Sequence, residues 1–424
     1  MTNPEESASD QHAALFPPTR AAALARLEAF VTKAGRHYAA ERNRDPGPGL
    51  RGNVSMLSPY IRHRVLTERE VLEAVLERHS PRAAEKFIQE VFWRTYWKGW
   101  LQMRPQVWRA FLRERDAERE RIERSSGLRQ AVAAAEEGRT GIDGFDAWAR
   151  ELVQTGYLHN HARMWFASIW IFTLRLPWSL GADFFLRHLL DADPASNTLG
   201  WRWVAGIQTP GKTYLARADN IARYTGDRHR PTGLSAEARP VRDETPPPPK
   251  PPAPPQGRPP SDRPALLLLH GDDLDGYELV PPGVETPLVA IAVSGHRNHP
   301  WPFGGQAARF VEALASDTAD RLSRGGQARV QVIAALEADT LGRHCAAAGV
   351  RSILTPEAPV GPLAEGLQVL ARELEGDGIE ILQMRRPWDD LAWPLATHGF
   401  FRFKNRIPEL IARNGLGTED PDFR

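Results

Sequence analysis

A run of prolines divides this chain more sharply than any other feature. Residues 241–264 read VRDETPPPPKPPAPPQGRPPSDRP. Prolines remove backbone donors and hold the chain near polyproline II, so the stretch reads as a semi-rigid spacer. The same composition also serves as a ligand for SH3-type domains, a rarer use than a linker. At roughly 150 residues per domain a chain of this size should form two or three domains. The spacer separates residues 1–240 from residues 265–424.

The two sides differ in texture. Ahead of the spacer the patterns are helical throughout. Thr67 and Glu70 are spaced as a capping box before Val71, Leu72, Val75 and Leu76. Ser80-Pro81 marks another helix start, and a third helix is expected between Gly144 and Gly156. Residues 109–124 alternate in charge sign, as a solvated helix face does. Behind the spacer, short apolar runs occupy residues 265–269, 288–293, 330–334, 350–354 and 379–382. Helical patterns at 305–316 and 363–375 separate some of them. Alternating strand and helix predicts a small α/β domain, a parallel sheet with helices on its faces.

Composition removes several classes of function. Lys+Arg 54 against Asp+Glu 53 leaves a net charge of +1, so no overall field announces nucleic acid or lipid. Only six of the basic residues are lysines, so anion contacts fall to guanidinium forks. The single cysteine, Cys345, excludes an internal disulfide and any multi-cysteine zinc or iron–sulfur site. No stretch approaches the roughly 20 apolar residues of a membrane span. The polar N-terminus has no apolar h-region behind it. The expectation is a soluble, cytoplasmic protein without metal. In the C-terminal part, Gly271-Asp272-Asp273 lacks the glycine spacing of a dinucleotide fingerprint and no G-x-S-x-G elbow occurs, so no catalysis is assigned there.

Chemistry gathers ahead of the spacer. Ten of the 13 tryptophans lie between Trp93 and Trp203. Most read as a large aromatic core. Glu90, Trp93, Arg94 and Trp97 follow i, i+3, i+4, i+7 spacing and share one helix face. A carboxylate and a guanidinium beside two indoles is costly in a plain core, where a buried charge needs its partner. Asn160, Arg163 and Met164 repeat the pattern, and Asp191-Ala192-Asp193 precedes Asn197 and Trp201-Arg202-Trp203. Singly, these are caps, salt bridges or packed rings. Together they outline a pocket. Ser55-Met56-Leu57-Ser58-Pro59-Tyr60 adds a helix start whose free N–H groups and two hydroxyls suit a diphosphate.

These segments, SMLSPY, EVFWRTYW, TGIDGFDAWARELVQTGYLHNHARM, DADPASN and GWRW, resemble in order and spacing the FAD domain of DNA photolyases and cryptochromes. The resemblance covers roughly residues 38–215 and implies an all-α fold that holds FAD bent into a U. It implies that Tyr38, Ser55, Leu57 and Ser58 hold the diphosphate and that Glu90 and Arg94 line the cofactor. Asn160 and Arg163 would lie at the flavin and adenine side. Asp191, paired to Arg163, and Asp193 would run along the isoalloxazine and ribose, with Asn197 at flavin N5. The family's dimer pocket maps onto Glu90, Trp93, Asn160, Met164 and Trp203. Its photoreduction chain maps onto Trp201 and Trp178, while the third member falls near Ser125, leaving Trp165 or Trp170 as substitutes.

Some positions depart from the family pattern. Val54 and Met56 replace its hydroxyl and arginine, Arg64 replaces a glycine, and residues 214–220 read YLARADN where the family has Y-F-x-x-F-N-P. The family places its α/β antenna domain first, whereas here RRPWDDLAWPLATHGFFRFKNRIPEL, near the C-terminus, resembles the end of that domain, which implies a permuted order. The function implied is light-driven repair of pyrimidine dimers in damaged DNA, duplex or single-stranded. A blue-light sensor without repair and a dark flavin oxidoreductase stand as alternatives. An antenna chromophore is not identified by the sequence.

Overall fold

In the computed structural model, residues 15–242, 246–253, 263–300, 302–326 and 329–417 are described. Up to residue 242 the regular structure is helical. Local signals place its boundaries. The Glu70 N–H donates to Thr67 Oγ1 and the Thr67 N–H to the Glu70 carboxylate, so the capping box closes at the head of the Glu68–Leu76 helix. The Phe145–Thr155 helix runs from Gly144, at φ 80°, to Gly156, at φ 65°, backbone angles that glycine takes without strain. One boundary moves. Ser80 Oγ accepts the Ala83 N–H at 3.3 Å and so caps a separate turn, and the long helix begins only at Glu85 and runs to Gln102.

Behind the spacer, β1 (Leu266–His270), β2 (Leu288–Ala292), β3 (Arg329–Ile333), β4 (Ser352–Pro356) and β5 (Glu380–Met384) overlap the five apolar runs. They pair in parallel, in the order β3-β2-β1-β4-β5. Parallel strands need crossovers: the Gly305–Arg324 helix joins β2 to β3, the Ala338–Ala348 helix β3 to β4 and the Pro362–Glu375 helix β4 to β5, while β1 passes to β2 through residues 271–287 without an α-helix.

Strand alternation gives the sheet two different faces. Leu266 and Leu268 of β1 enter a core closed by Leu341, Cys345, Leu367 and Leu370. Leu267 and Leu269 enter a second core that continues into the helical part. After β5 the chain returns to the helical part as well. Trp388 stacks on Phe92 at 4.9 Å and donates Nε1 to Thr95 Oγ1 at 3.0 Å. Trp393 packs so closely on Gly99 that a Cβ there would lie 2.7 Å from its Cα.

Within the proline-rich stretch, residues 243–245 and 254–262 lie outside the described residues. Between them the Lys250 N–H donates to the Met103 carbonyl at 3.0 Å, and Arg385 donates to the Ala253 carbonyl at 2.5 Å. The described part of this stretch therefore runs against both halves of the molecule. Among the described residues no helix is long and apolar enough to cross a membrane, and no cluster of three or more His, Cys, Asp or Glu could hold a metal.

Candidate functional site

The Glu85–Gln102 helix supplies the first wall. Glu90, half-buried, accepts a hydrogen bond from Arg42 Nη1 at 2.6 Å. Burial pushes its carboxyl above the usual range although Arg42 opposes the shift. Trp93 lies 3.6 Å, centroid to centroid, from Phe400 of the C-terminal Phe400–Lys404 helix, with the rings 13° from parallel. It also touches Trp97 at 5.2 Å. One face of the Trp93 indole is therefore covered by the C-terminal segment, which sequence reasoning did not foresee. Glu90 likewise has a protein partner that the helix pattern did not name.

The acidic turn supplies the second wall. Arg163 forks onto Asp191 at 3.0 and 2.9 Å and donates Nε to the Leu158 carbonyl at 2.9 Å. Burial alone would raise the Asp191 carboxyl, but Arg163, Arg94 and the Ser58 hydroxyl hold it below the ordinary range. Asp193 caps the Pro194–Val204 helix, accepting the Ser196 N–H at 2.8 Å. Its other oxygen faces Arg94 at 3.6 Å and Lys98 at 3.9 Å. Burial opposes ionisation of Asp193, yet Lys98, Arg62 and Arg94 bring its pKa down to about 2. Lys98, one turn beyond Arg94, is 1% exposed, and burial together with Arg64 lowers its pKa.

The Ser55–Ser58 segment closes a third side. Met56 has φ 52°, a left-handed conformation uncommon for a side-chain-bearing residue, and the Leu57 N–H turns back to Ser55 Oγ at 3.4 Å. Such angles persist where the surroundings over-determine them, often at ligand clamps. Tyr38 is buried edge-on against Phe30 and Phe87, and burial with the nearby Glu90 pushes its phenol up.

The remaining candidates sit around these walls. Asn160 is exposed at the start of the Asn160–Ser168 helix, and Met164, on the same helix, is half-buried. The Asn197 amide donates to the Ala182 carbonyl at 2.8 Å. Trp203 is half-buried and stacks on Tyr214 at 5.7 Å, so the altered 214–220 segment supports this indole directly. Trp201 is buried against Phe185 and, edge-on at 6.2 Å, against Trp170. Trp178 packs on Phe111 at 5.6 Å. Ser125 caps the Ser126–Glu136 helix. Of the two tryptophans weighed as substitutes, Trp170 is the one in ring contact with Trp201, while Trp165 stacks on Trp148 and His161.

Arg42, Lys98 and Phe400 were missed by sequence reasoning. Arg42 follows Tyr38 by four residues and Lys98 follows Arg94 by four, so helix spacing could have found both. Nothing local could have found Phe400, 307 positions from its partner ring.

The polar inventory is incomplete without a ligand. Arg94 Nη1, Lys98 Nζ and Ser196 Oγ are buried and have no hydrogen-bond partner among the described residues. An unsatisfied buried donor costs roughly 1–3 kcal/mol, more when charged. Phosphate and ribose oxygens are the kind of acceptor these donors lack, so the residues present fit FAD.

Residues 87–230 match the family model described as the FAD binding domain of DNA photolyase. This stretch is thus similar to the FAD-binding domain of DNA photolyases. The chain is 36% identical, over 225 residues, to the deoxyribodipyrimidine photo-lyase of Thermus thermophilus, covering 51% of this chain and 49% of that one. Among solved structures, a class III photolyase from Agrobacterium tumefaciens is 28% identical with a TM-score of 0.44, covering 54% of this chain and 46% of that one. The cryptochrome of Synechocystis sp. PCC6803 is 22% identical with a TM-score of 0.38, covering 49% and 43%. The chain thus spans about half the length of the curated relative it matches. The matched residues 87–230 lie within the helical part, and the parallel sheet follows them in the chain.

Proposed function

We propose that this protein is a FAD-dependent, light-driven repair protein of the photolyase type, acting on pyrimidine dimers in damaged DNA. What carries the reading is one arrangement: half-buried Arg163 forked onto buried Asp191 next to Arg94 and Lys98 donors without hydrogen-bond partners, inside a region that matches the photolyase FAD-binding model. Relatives named deoxyribodipyrimidine photo-lyase add the substrate class. In this reading residues 1–240 are the FAD unit, 241–264 the linker, and 265–424 an antenna-type α/β unit moved to the C-terminal side.

Tyr38, Ser55, Leu57 and Ser58 hold the diphosphate, and Arg94, Arg163, Asp191 and Asp193 hold the flavin and ribose side. Reduced FAD, when bound and illuminated, supplies the electron that opens the dimer. Everything else is binding and electrostatics. Trp93 and Trp203 present flat walls that replace the stacking a flipped base pair loses. Glu90, its carboxyl raised by burial and opposed by Arg42, offers a hydrogen-bonding carboxyl to the base edge, and Arg42 beside it supplies fixed positive charge. Asn160 offers an exposed amide to the base edge, and Met164 fills the space beside it. Asn197 sits at N5. Trp201 and Trp178 carry electrons inward, with Trp170 next in line.

One observation favours the sensor reading as a second choice. Phe400 occupies a face of Trp93, so a base could reach only the other face of that indole. The deciding assay is dimer splitting on single-stranded and duplex oligonucleotides under near-ultraviolet light, with the flavin reduced. Splitting is expected, and Glu90→Ala should slow it by about tenfold or more, since hydrogen bonds to charged groups contribute roughly 1.5–3 kcal/mol. No splitting on either strand form would leave the sensor reading standing.

A further inference from the structure

Three consecutive residues form a polar seam between the helical and α/β parts, beside the aromatic contacts of Trp388, Trp393 and Phe400. Arg62 is 3% exposed. Its Nε donates to the Ala192 carbonyl at 2.6 Å, and its Nη2 lies 2.6 Å from Asp272 Oδ1. The second contact is an ion pair and not an aligned hydrogen bond. His63 places one ring nitrogen 2.5 Å from the Gly271 carbonyl and the other 3.2 Å from the Leu190 carbonyl. Arg64 takes φ 51° and puts its guanidinium on Asp273, at 3.2 Å, and Asp389, at 2.5 Å. A left-handed arginine is strained, and these buried pairs offset that strain. Backbone joins in, the Leu274 N–H donating to the His63 carbonyl at 3.0 Å.

Both ends of the seam are informative. On one side, Gly271–Asp273 follows β1 at the point where the strand order reverses between β1 and β4, the place where open parallel sheets usually bind their ligands. Here that crest receives the Arg62–Arg64 segment. On the other side, Leu190 and Ala192 alternate with Asp191 and Asp193, the two carboxylates of the candidate flavin site. Pro194, next along, lies against Gly361 of the α/β part, where a Cβ would come within 2.9 Å of the proline ring.

We propose that Asp272 and Arg62 are positioning residues: through the Asp272–Arg62–Ala192 relay, the α/β part fixes the loop that holds Asp191 and Asp193 against the flavin. This rests on the FAD reading of the site and adds a role for the α/β part within it. The physical basis is twofold. The relay pins the peptide between the two carboxylates, and it anchors the Arg62 charge beside Asp193, where it helps keep that carboxylate ionised. Without the Asp272 charge, buried Arg62 has lost its ion-pair partner and relaxes toward Asp193, releasing the Ala192 carbonyl.

The test uses the full chain and reads FAD affinity and the flavin absorption spectrum. Asp272→Asn should raise the FAD dissociation constant about tenfold, within the range usual for coupled sites, and shift the flavin bands. Asp272→Glu should restore both. Arg62→Lys keeps a cation for Asp272 but has no second arm for Ala192. It keeps the ion pair, so it should fold and still weaken FAD, which covers the case in which Asp272→Asn does not fold. Asp317→Ala removes a different contact between the two parts, the one accepting the Arg20 N–H at 3.0 Å, and should leave affinity and spectrum unchanged. Parent-like FAD binding and spectrum in both Asp272→Asn and Arg62→Lys would overturn the relay. An equal loss in Asp317→Ala would also overturn it, since general docking would then explain the effect. A parent chain that takes up no FAD would instead remove the reading on which the relay rests.

Discussion

The helical and α/β parts place their buried charges differently. In the helical part, Arg94 Nη1, Lys98 Nζ and Ser196 Oγ are left without hydrogen-bond partners next to a carboxylate held fully ionised. In the α/β part, the core between the sheet and the Ala338–Ala348 and Pro362–Glu375 helices is built of aliphatic side chains and Cys345, with His270 and Thr355 buried at the strand ends on the same face. The charges of its crest, Asp272, Asp273 and Asp389, are each met by an arginine of the helical part. On the proposed reading the first set of donors is kept for the oxygens of FAD, whereas the second set of charges is paired at the seam, with Arg386 of the α/β part also forked onto Asp273. A site kept for a ligand would leave charged donors open, whereas a supporting part spends its charge where it docks.

The contrast breaks most visibly at Asp191. Removing that buried carboxylate in Asp191→Ala leaves half-buried Arg163 without its fork partner and opens the flavin side of the site. FAD should be lost on purification, and a lowered unfolding temperature should accompany the loss. Full flavin retention in that variant would contradict the site as drawn. A smaller effect, of another kind, is expected from Leu268→Ala on the face of β1 that points away from the helical part. Deleting this buried side chain should cost roughly 2–5 kcal/mol of stability through the cavity it leaves. The flavin spectrum of the folded variant should match the parent's. A spectral change there would mean that the sheet's far face also reaches the flavin, and the division of labour would need redrawing.

Much of the fold is legible in the sequence because its signals are local. The five strands lie on or within two residues of the apolar runs, and the Thr67–Glu70 box and the Gly144–Gly156 pair mark helix ends by side-chain and backbone chemistry alone. The start at Glu85 was less legible, since Ser80-Pro81 carries the same cap signal for a single turn as for a helix. The Ala338–Ala348 helix starts without a side-chain cap at Glu337, so no local signal marked its beginning.

Within the candidate site, the helix faces follow from spacing, so Glu90 and Arg94 fall on one side without any structure. Their partners do not follow. Arg62 reaches Asp272 and Ala192 across more than a hundred positions, and Phe400 reaches Trp93 across still more. Such contacts depend on how the sheet docks, which no periodicity encodes. The proline stretch likewise announces a boundary but gives no sign that an apolar core continues across it.

The central claim is that the helical part is built around FAD. The most direct measurement is the flavin content of the purified full chain: denature it, identify the released cofactor and quantify it against protein. The account predicts FAD at close to one per chain, firmly held before denaturation. A folded protein that releases no flavin, and that takes up none when FAD is added, would contradict it.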